Sequence, residues 1–179
     1  MKEEILALAD ERLQGLFRQA DSEDLVGYLL VDLSIDRWTQ GSILPIHRRG
    51  ASRSLFQGKP EEGFSAIAPH LMALDMLTDE EWQKIMTQDI ELAAFSWLWI
   101  DETARDDLFS HLQKQLDMRL SDGGVALLRY YDPRVFTKLM RLLDEGQRQT
   151  LFGPIRYWSV CIMNERQVFQ PTDAMQEAI

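Results

Sequence analysis

A tight turn at residues 121–124 is the feature that most constrains how this chain can fold. The sequence Ser-Asp-Gly-Gly separates two short β-competent runs, Met118–Leu120 and Val125–Tyr131. Adjacent glycines favour a hairpin turn, and a hairpin pairs its two strands antiparallel. Elsewhere strands and helices mix without a clean βαβ alternation. These patterns predict an α+β (mixed α/β) fold, with a mixed, partly antiparallel sheet packed by amphipathic helices.

Continuous apolar runs predict the buried strands of that sheet. Val26–Leu33, with Asp32 near its end, and Ala93–Ile100 are strongly apolar. Val125–Leu128 also reads as a buried strand that leads into a helix. Ile155–Met163 is expected to form the last strand of the chain.

The region between the first two runs is expected to be rich in loops. Ser34–Gly63 holds glycines and prolines, and it has room for one short strand around Ile43–Ile46. Ala66–Leu74 is apolar but contains Pro69. Because proline cannot donate to a central ladder, this segment predicts a strand edge or a strand start.

Amphipathic segments and caps predict the helices. The first helix has one apolar face from Ile5 to about Ala20. The second follows Thr78–Glu81, a capping box, and the third follows Thr103–Asp106, a weaker one. Asp132-Pro133 begins the fourth, since the carboxylate accepts backbone N–H bonds and proline has no N–H to satisfy.

The expected buried side chains of the fourth helix are Val135, Phe136, Leu139, Leu142 and Leu143. A brief break at Glu145-Gly146 then precedes a further helical turn over Gln147–Phe152. Gly153-Pro154 ends that turn before the last strand.

The charge balance bears on partners. The chain has 179 residues and a formal net charge of −10, which would repel a phosphate backbone and disfavours nucleic acid as a partner. The short basic run His47-Arg48-Arg49 reads as a solvated loop. The length suits a single domain, expected over residues 1–163, with a polar C-terminal tail over residues 164–179.

Cysteine usage and hydropathy predict a cytoplasmic protein. The one cysteine, Cys161, lies among apolar residues and reads as a buried, inert thiol. The N-terminus does not have the pattern of a signal peptide. The longest apolar run, near Leu92–Ile100, is far short of the ~20 residues that span a bilayer, so no membrane partner is expected.

Motifs for catalysis, metal or cofactor binding are weak. His47, His70 and His111 are scattered, without finger or HExxH spacing, so neither a metal nor a cofactor is predicted. Phosphate-binding glycine motifs and a GxSxG elbow are also lacking. Asp132 with His111 and a serine leaves a small hydrolase as an alternative, although Asp132 is the more natural helix cap.

The segment Leu127–Phe136 carries several charges at the point where a predicted strand leads into a helix. Arg129 and Arg134 flank Asp132, and Arg156 follows later in the chain. Charged groups beside an apolar strand are costly unless they are paired. The sequence is compatible with a structural ion-pair network, with an exposed partner-binding patch, or with both, because arginine forks favour carboxylates and interfaces.

The same segment resembles the "LLRxYDPRV" motif of type VI secretion adaptor proteins, the effector chaperones of the Tap/TEC type. Further matches follow this family's order from about residue 28 to about residue 159, although Gln113-Lys114 stand where the family usually has two arginines. The matching elements are Leu29–Asp32, Ser54–Gly58, Pro69–Leu71, His111-Leu112, Leu151–Ile155 and Trp158.

The resemblance implies a non-enzymatic cytoplasmic adaptor. Such a protein binds a secreted toxic effector, helps load it onto the VgrG spike protein, and stays behind. By this resemblance, the partner-binding or motif residues are Arg129, Tyr131, Asp132, Pro133, Arg134 and Arg156. An immunity protein that neutralises a toxin stays an alternative, because an acidic surface suits a basic partner.

Overall fold

The computed structural model describes residues 6–172. Helices α1 to α6 span Glu11–Ser22, Arg37–Arg48, Asp79–Glu91, Arg105–Gln115, Pro133–Leu142 and Glu145–Phe152. Strands β1 to β8 span Leu25–Asp32, Arg53–Ser54, Pro69–Ala73, Phe95–Asp101, Asp117–Arg119, Val125–Leu127, Ile155–Ile162 and Glu165–Phe169. Short 3₁₀ helices lie at Pro60–Ile67, Leu74–Met76 and Glu102–Ala104.

Six strands form one sheet in the order β2-β3-β1-β4-β7-β8. Every neighbouring pair in this sheet is antiparallel, including the central pair β1 and β4. The α+β fold class is confirmed, and among residues 6–172 the sheet is antiparallel throughout rather than mixed. The expected strands at the first two apolar runs correspond to β1 and β4, and Pro69 begins β3 as its chemistry requires.

The sheet separates two hydrophobic cores, because successive side chains of a strand point to opposite faces. Leu29 and Trp97 belong to the core covered by α1, α2 and α3. Leu30, Leu98 and Trp158 belong to the core covered by α4, α5 and α6. The three layers are therefore helices, sheet and helices.

Helix α1 begins later than its apolar pattern predicts. Asp10 is its N-cap, and its Oδ1 accepts a hydrogen bond from the Leu13 amide at 2.9 Å. The prediction of one helix from Ile5 is therefore wrong at its start, and Ile5 itself lies outside the described residues. The side chain of Asp10 satisfies the Leu13 amide in the first turn, so the helix begins after Asp10.

The predicted strand around Ile43–Ile46 is wrong, because this segment lies in the middle of α2. Thr39, Ile43 and Ile46 are buried at a spacing of four and three residues, which is the period of a helix. Asp36 caps the helix, with its Oδ1 2.6 Å from the Trp38 amide. Pro45 disfavours a helix locally because it removes one backbone hydrogen bond, but burial of the apolar face outweighs that loss.

The hairpin at Gly123 is confirmed, but the buried strand at Val125–Leu128 is wrong. Strands β5 and β6 pair antiparallel, and Gly123 takes a φ of 86° in the turn. This hairpin forms a separate two-stranded sheet, so Val125 is 67% exposed and Leu127 is 37% exposed. A short run of apolar residues does not by itself show what covers it.

Of the two predicted capping boxes, one is confirmed and one is wrong. Thr78 and Glu81 form the expected capping box at the start of α3. Helix α4 has Ala104 as its N-cap and no side-chain cap bond, so the box at Thr103–Asp106 is wrong. The 3₁₀ turn at Glu102–Ala104 directly precedes the helix, so Thr103 lies inside that turn and not at the cap position.

The C-terminal third departs from expectation in three places. Leu142 is 77% exposed rather than buried. Helix α6 begins at Glu145, directly after its N-cap Asp144, which forms a capping box. Glu145-Gly146 is therefore the first turn of a helix and not a break. Strand β7 is not the last strand, since β8 pairs with it and buries Arg166. Residues 165–169 of the expected polar tail are thus part of the sheet.

Candidate functional site

The loop before α5 places Asp132 as the N-cap of that helix. Its Oδ1 accepts a hydrogen bond from the Arg134 amide at 3.0 Å, and Pro133 occupies the first helical position. The helix start predicted from Asp132-Pro133 is confirmed. Because Asp132 is only 3% exposed, its carboxylate needs further partners.

Arg134 supplies one of these partners as a two-pronged fork. Its Nε lies 2.9 Å from Oδ1 of Asp132, and its Nη2 lies 2.8 Å from Oδ2. The arginine side chain is 54% exposed. One edge of the guanidinium is therefore held by the protein while the other edge faces solvent.

Arg129 connects the same loop to the end of β1. Its Nη2 donates to Oδ2 of Asp32 at 3.0 Å and to the Ser34 hydroxyl at 2.8 Å, and it lies 3.7 Å from Oδ2 of Asp132. Asp32 is fully buried, and its Oδ1 accepts from the amide and the hydroxyl of Ser34. Two buried carboxylates thus hold two half-exposed arginines, an arrangement that we call the arginine junction (Arg129, Arg134, Asp32, Asp132).

The arginines of the junction favour the charged form of Asp132. Burial alone would raise the pKa of Asp132, but hydrogen bonds from Arg134 and the charges of Arg134 and Arg129 hold it below its ordinary value. Burial, with the nearby charge of Asp32, raises the pKa of Tyr131 to about 12. Tyr131 is therefore a neutral phenol at pH 7, and its ring centroid lies 5.8 Å from the Arg129 guanidinium.

Asp32, a member of this junction, and Ser34, which accepts from Arg129 beside it, are partners that the sequence patterns did not predict. The signal available was a carboxylate at the end of an apolar strand, where a buried charge must be paired. Its partner is 97 residues away in the chain. Periodicity reports which residues are buried but not which distant arginine reaches them.

Arg156 does not join the arginine junction. Its Nη1 lies 3.4 Å from Asp101, and both side chains are 52% exposed. Asp101 pairs with Leu25 at the start of β1, whereas Asp32 ends that strand. Seven residues of strand separate the two ends by about 23 Å. The grouping of Arg156 with the other arginines is therefore wrong in space.

Two of the histidines are close in space although they are far apart in the sequence. The rings of His47 and His70 lie 4.6 Å apart, and Nδ1 of His70 is 3.1 Å from the Ser52 hydroxyl. His111 is 2.9 Å from the carbonyl oxygen of Leu151 through Nε2. Residues 6–172 contain no group of three or more His, Cys, Asp or Glu that could hold a metal ion.

The chain belongs to the family described as "Domain of unknown function (DUF4123)", whose model matches residues 27–150. The matched part runs from β1 into α6 and contains the whole arginine junction, whereas Arg156 lies outside it. No curated protein and no solved structure matches the chain. None of the helices within residues 6–172 is long and apolar enough to cross a membrane.

Proposed function

We propose that this protein is a cytoplasmic adaptor of a type VI secretion system, which binds a secreted effector and helps to load it onto the VgrG spike protein. The observation that carries the proposal is the family match over residues 27–150, together with the adaptor-like motif Leu127–Phe136 within it. The protein acts by binding and not as an enzyme.

The geometry of the arginine junction supports a binding role. Arg129 and Arg134 are oriented by buried carboxylates, yet their side chains remain 44% and 54% exposed. Preoriented guanidinium groups lose little conformational freedom when a partner's carboxylate or carbonyl reaches them. The junction is also neutral in sum, so it selects by hydrogen-bond geometry more than by net charge.

Co-purification tests the proposal directly. The tagged chain is co-expressed with the effector and the VgrG protein encoded by the neighbouring reading frames, and the complex is analysed by size-exclusion chromatography. We expect the effector to elute with the chain and VgrG to join this complex. A folded chain that retains neither protein would refute the adaptor function.

A genetic experiment separates the adaptor from an immunity protein. Deleting the gene should abolish delivery of the effector to competing cells and leave the mutant healthy. Loss of an immunity protein would instead poison the cell with its own toxin. Self-intoxication that is rescued by inactivating the effector would therefore contradict the adaptor.

A further inference from the structure

A second surface lies at the opposite end of β1 from the arginine junction. Here a cleft of about 470 Å³ opens between the end of α1, the start of β1 and residues 74–79. Its volume lies within the range of ligand-binding clefts in proteins. The cleft has an apolar floor and a charged rim, and we call it the acidic cleft. The floor includes Phe17, Leu25, Leu74, Leu77, Trp82 and Trp99.

Gly27 gives this cleft its fixed floor. A Cβ added to Gly27 would lie 2.4 Å from Cδ1 of Leu74 and 3.4 Å from Nε1 of Trp99. The missing side chain lets these two residues meet above the strand. The ring of Phe17 packs on Trp99 at 5.3 Å and on Trp82 at 5.9 Å between centroids. The floor is therefore already packed before a partner arrives.

The rim of the cleft is acidic. Asp21, Asp75 and Asp79 line it with Arg105, so three carboxylates face one guanidinium and the lining has a net charge of −2. Arg105 lies 3.2 Å from Asp75 and 2.8 Å from Glu102, which compensates its charge. Within residues 6–172, the Asp21 carboxylate takes part in no ion pair.

From this complementarity we propose that the acidic cleft binds a basic, amphipathic segment of the effector. Lysine and arginine stems would lie on the apolar floor, while their charged heads would meet the carboxylates of the rim. A second copy of the chain and the two terminal segments outside the described residues carry net negative side-chain charge, since residues 1–5 hold one lysine and two glutamates. A second copy of the chain has a net charge of −10, and residues 173–179 contain Asp173 and Glu177 and no basic residue.

The assignment of this segment to the effector rests on the proposed function. An adaptor has to release its cargo, and contacts through exposed rim charges form fast and weaken with salt. The acidic cleft and the arginine junction lie at opposite ends of β1. Effector and VgrG can therefore contact the chain without competing for one surface.

Matched peptides test the chemistry of the cleft without knowledge of the effector. The probe is a fluorescent peptide in which leucine and tryptophan alternate with lysine and arginine, and its twin has glutamate at every basic position. Fluorescence anisotropy at low salt should show binding of the basic peptide only. In Asp21→Lys this affinity should fall at least about five-fold, since attraction becomes repulsion.

Glu91→Lys is the matched control. Glu91 is an exposed acid at the end of α3. Twelve residues of helix place it about 18 Å from Asp79. Both variants change the net charge by the same amount, so only a local effect separates them. Lysine in the last turn of a helix is favoured by the helix dipole, and Asp21→Lys should therefore fold.

Each outcome decides the inference. Equal binding of the two peptides, or equal affinity of Asp21→Lys and Glu91→Lys, would overturn it. Self-association of the wild type that Asp21→Lys abolishes would identify a second copy as the occupant instead. If the wild type retains the effector while the basic peptide does not bind, the cleft assignment fails and the adaptor stands. If the peptide binds but the effector does not, the adaptor function and the assignment to the effector both fail.

Discussion

Arg166 joins β8 to two helices through an ion pair that water hardly reaches. The side chains of Arg166 and Asp89 are each 2% exposed, and Arg166 also reaches Asp10, the cap of α1, at 2.9 Å. Trp97 donates to the same Asp89 at 3.0 Å. At the scale of single residues, this network joins the edge strand to α1 and α3.

We expect Arg166→Ala to be strongly destabilising. The substitution leaves Asp89 as a buried carboxylate without its cation, a loss of about 3–5 kcal/mol. Urea unfolding followed by circular dichroism measures the change. Arg156→Ala is the control, because its pair is half-exposed and should cost at most about 1 kcal/mol. Equal effects of the two substitutions would contradict the role of burial.

His70 should make the stability of the fold depend on pH. Burial, aided by the charge of His47, lowers the pKa of His70 to about 4, against the effect of its bond to Ser65. In the unfolded chain the pKa is near 6.5. Between these values the unfolded state binds a proton that the folded state does not. The free energy of unfolding therefore falls as the pH falls through this window, by about 3 kcal/mol in total.

The same unfolding experiment, repeated between neutral and mildly acidic pH, isolates this contribution. His70→Asn cannot take up the proton, so its free energy of unfolding should change less with pH than that of the wild type. The variant is less stable at neutral pH because it alters the contacts to Ser52 and Ser65. Parallel pH profiles for the two proteins would show that His70 is not the titrating group.

At the scale of elements, two glycines should respond in opposite ways to alanine. Gly27 in β1 has Leu74 and Trp99 against the position of its missing Cβ. Gly27→Ala should therefore destabilise the protein by about 1–3 kcal/mol. Gly41 lies in α2 with nothing within 4 Å of that position. Gly41→Ala should be neutral or stabilise by up to about 1 kcal/mol.

Thermal unfolding of these two variants is a test of the packing above β1. Both substitutions add one methyl group and remove the same backbone freedom from the unfolded chain. The difference between them therefore reports the local space. A stable Gly27→Ala protein would mean that Leu74 moves aside at little cost, and the floor of the acidic cleft would not be fixed.

The helices and strands themselves show where local patterns suffice. Thr78 and Glu81 form their capping box because all the interacting groups lie within one turn. Helix α2 was not predicted, because Pro45 disfavours a helix locally, whereas burial of Ile43 and Ile46 favours one. Whether a face is buried depends on what packs on it, and that is decided elsewhere in the chain.

At the scale of the whole molecule, the arginine junction should contribute to partner binding. Arg129→Gln and Arg134→Gln remove the charge and shorten the side chain, and they keep a polar amide at its end. We expect the double variant to reduce the retained amount of at least one partner about five-fold or more in co-purification. The control is Arg156→Gln. By strand geometry it lies about 23 Å from the arginine junction, so this variant should retain both partners.

A stability measurement accompanies this prediction. Without the arginine charges, the buried carboxylates of Asp32 and Asp132 lose their ion-pair partners, so some loss of stability is expected. Partner retention is therefore compared at a temperature where every variant is folded. Full retention by the folded double variant would leave the junction as a structural network alone.

Elements whose causes are local could be predicted from the amino-acid sequence. It predicted the α+β class, the buried strands β1 and β4, the hairpin at Gly123 and the helix start at Asp132-Pro133. In each case apolar periodicity, a cap or a turn residue acts within a few positions. The adaptor-like motif also lies inside the segment that matches the family.

The tertiary structure alone decided which distant groups meet. It paired Arg129 with Asp32, separated Arg156 from both, left the hairpin exposed, and added β8 with its buried Arg166. Charge pairing and burial depend on distances between segments far apart in the chain, which local patterns do not contain. The acidic cleft has the same origin, because its floor and rim come from segments that are far apart in the chain.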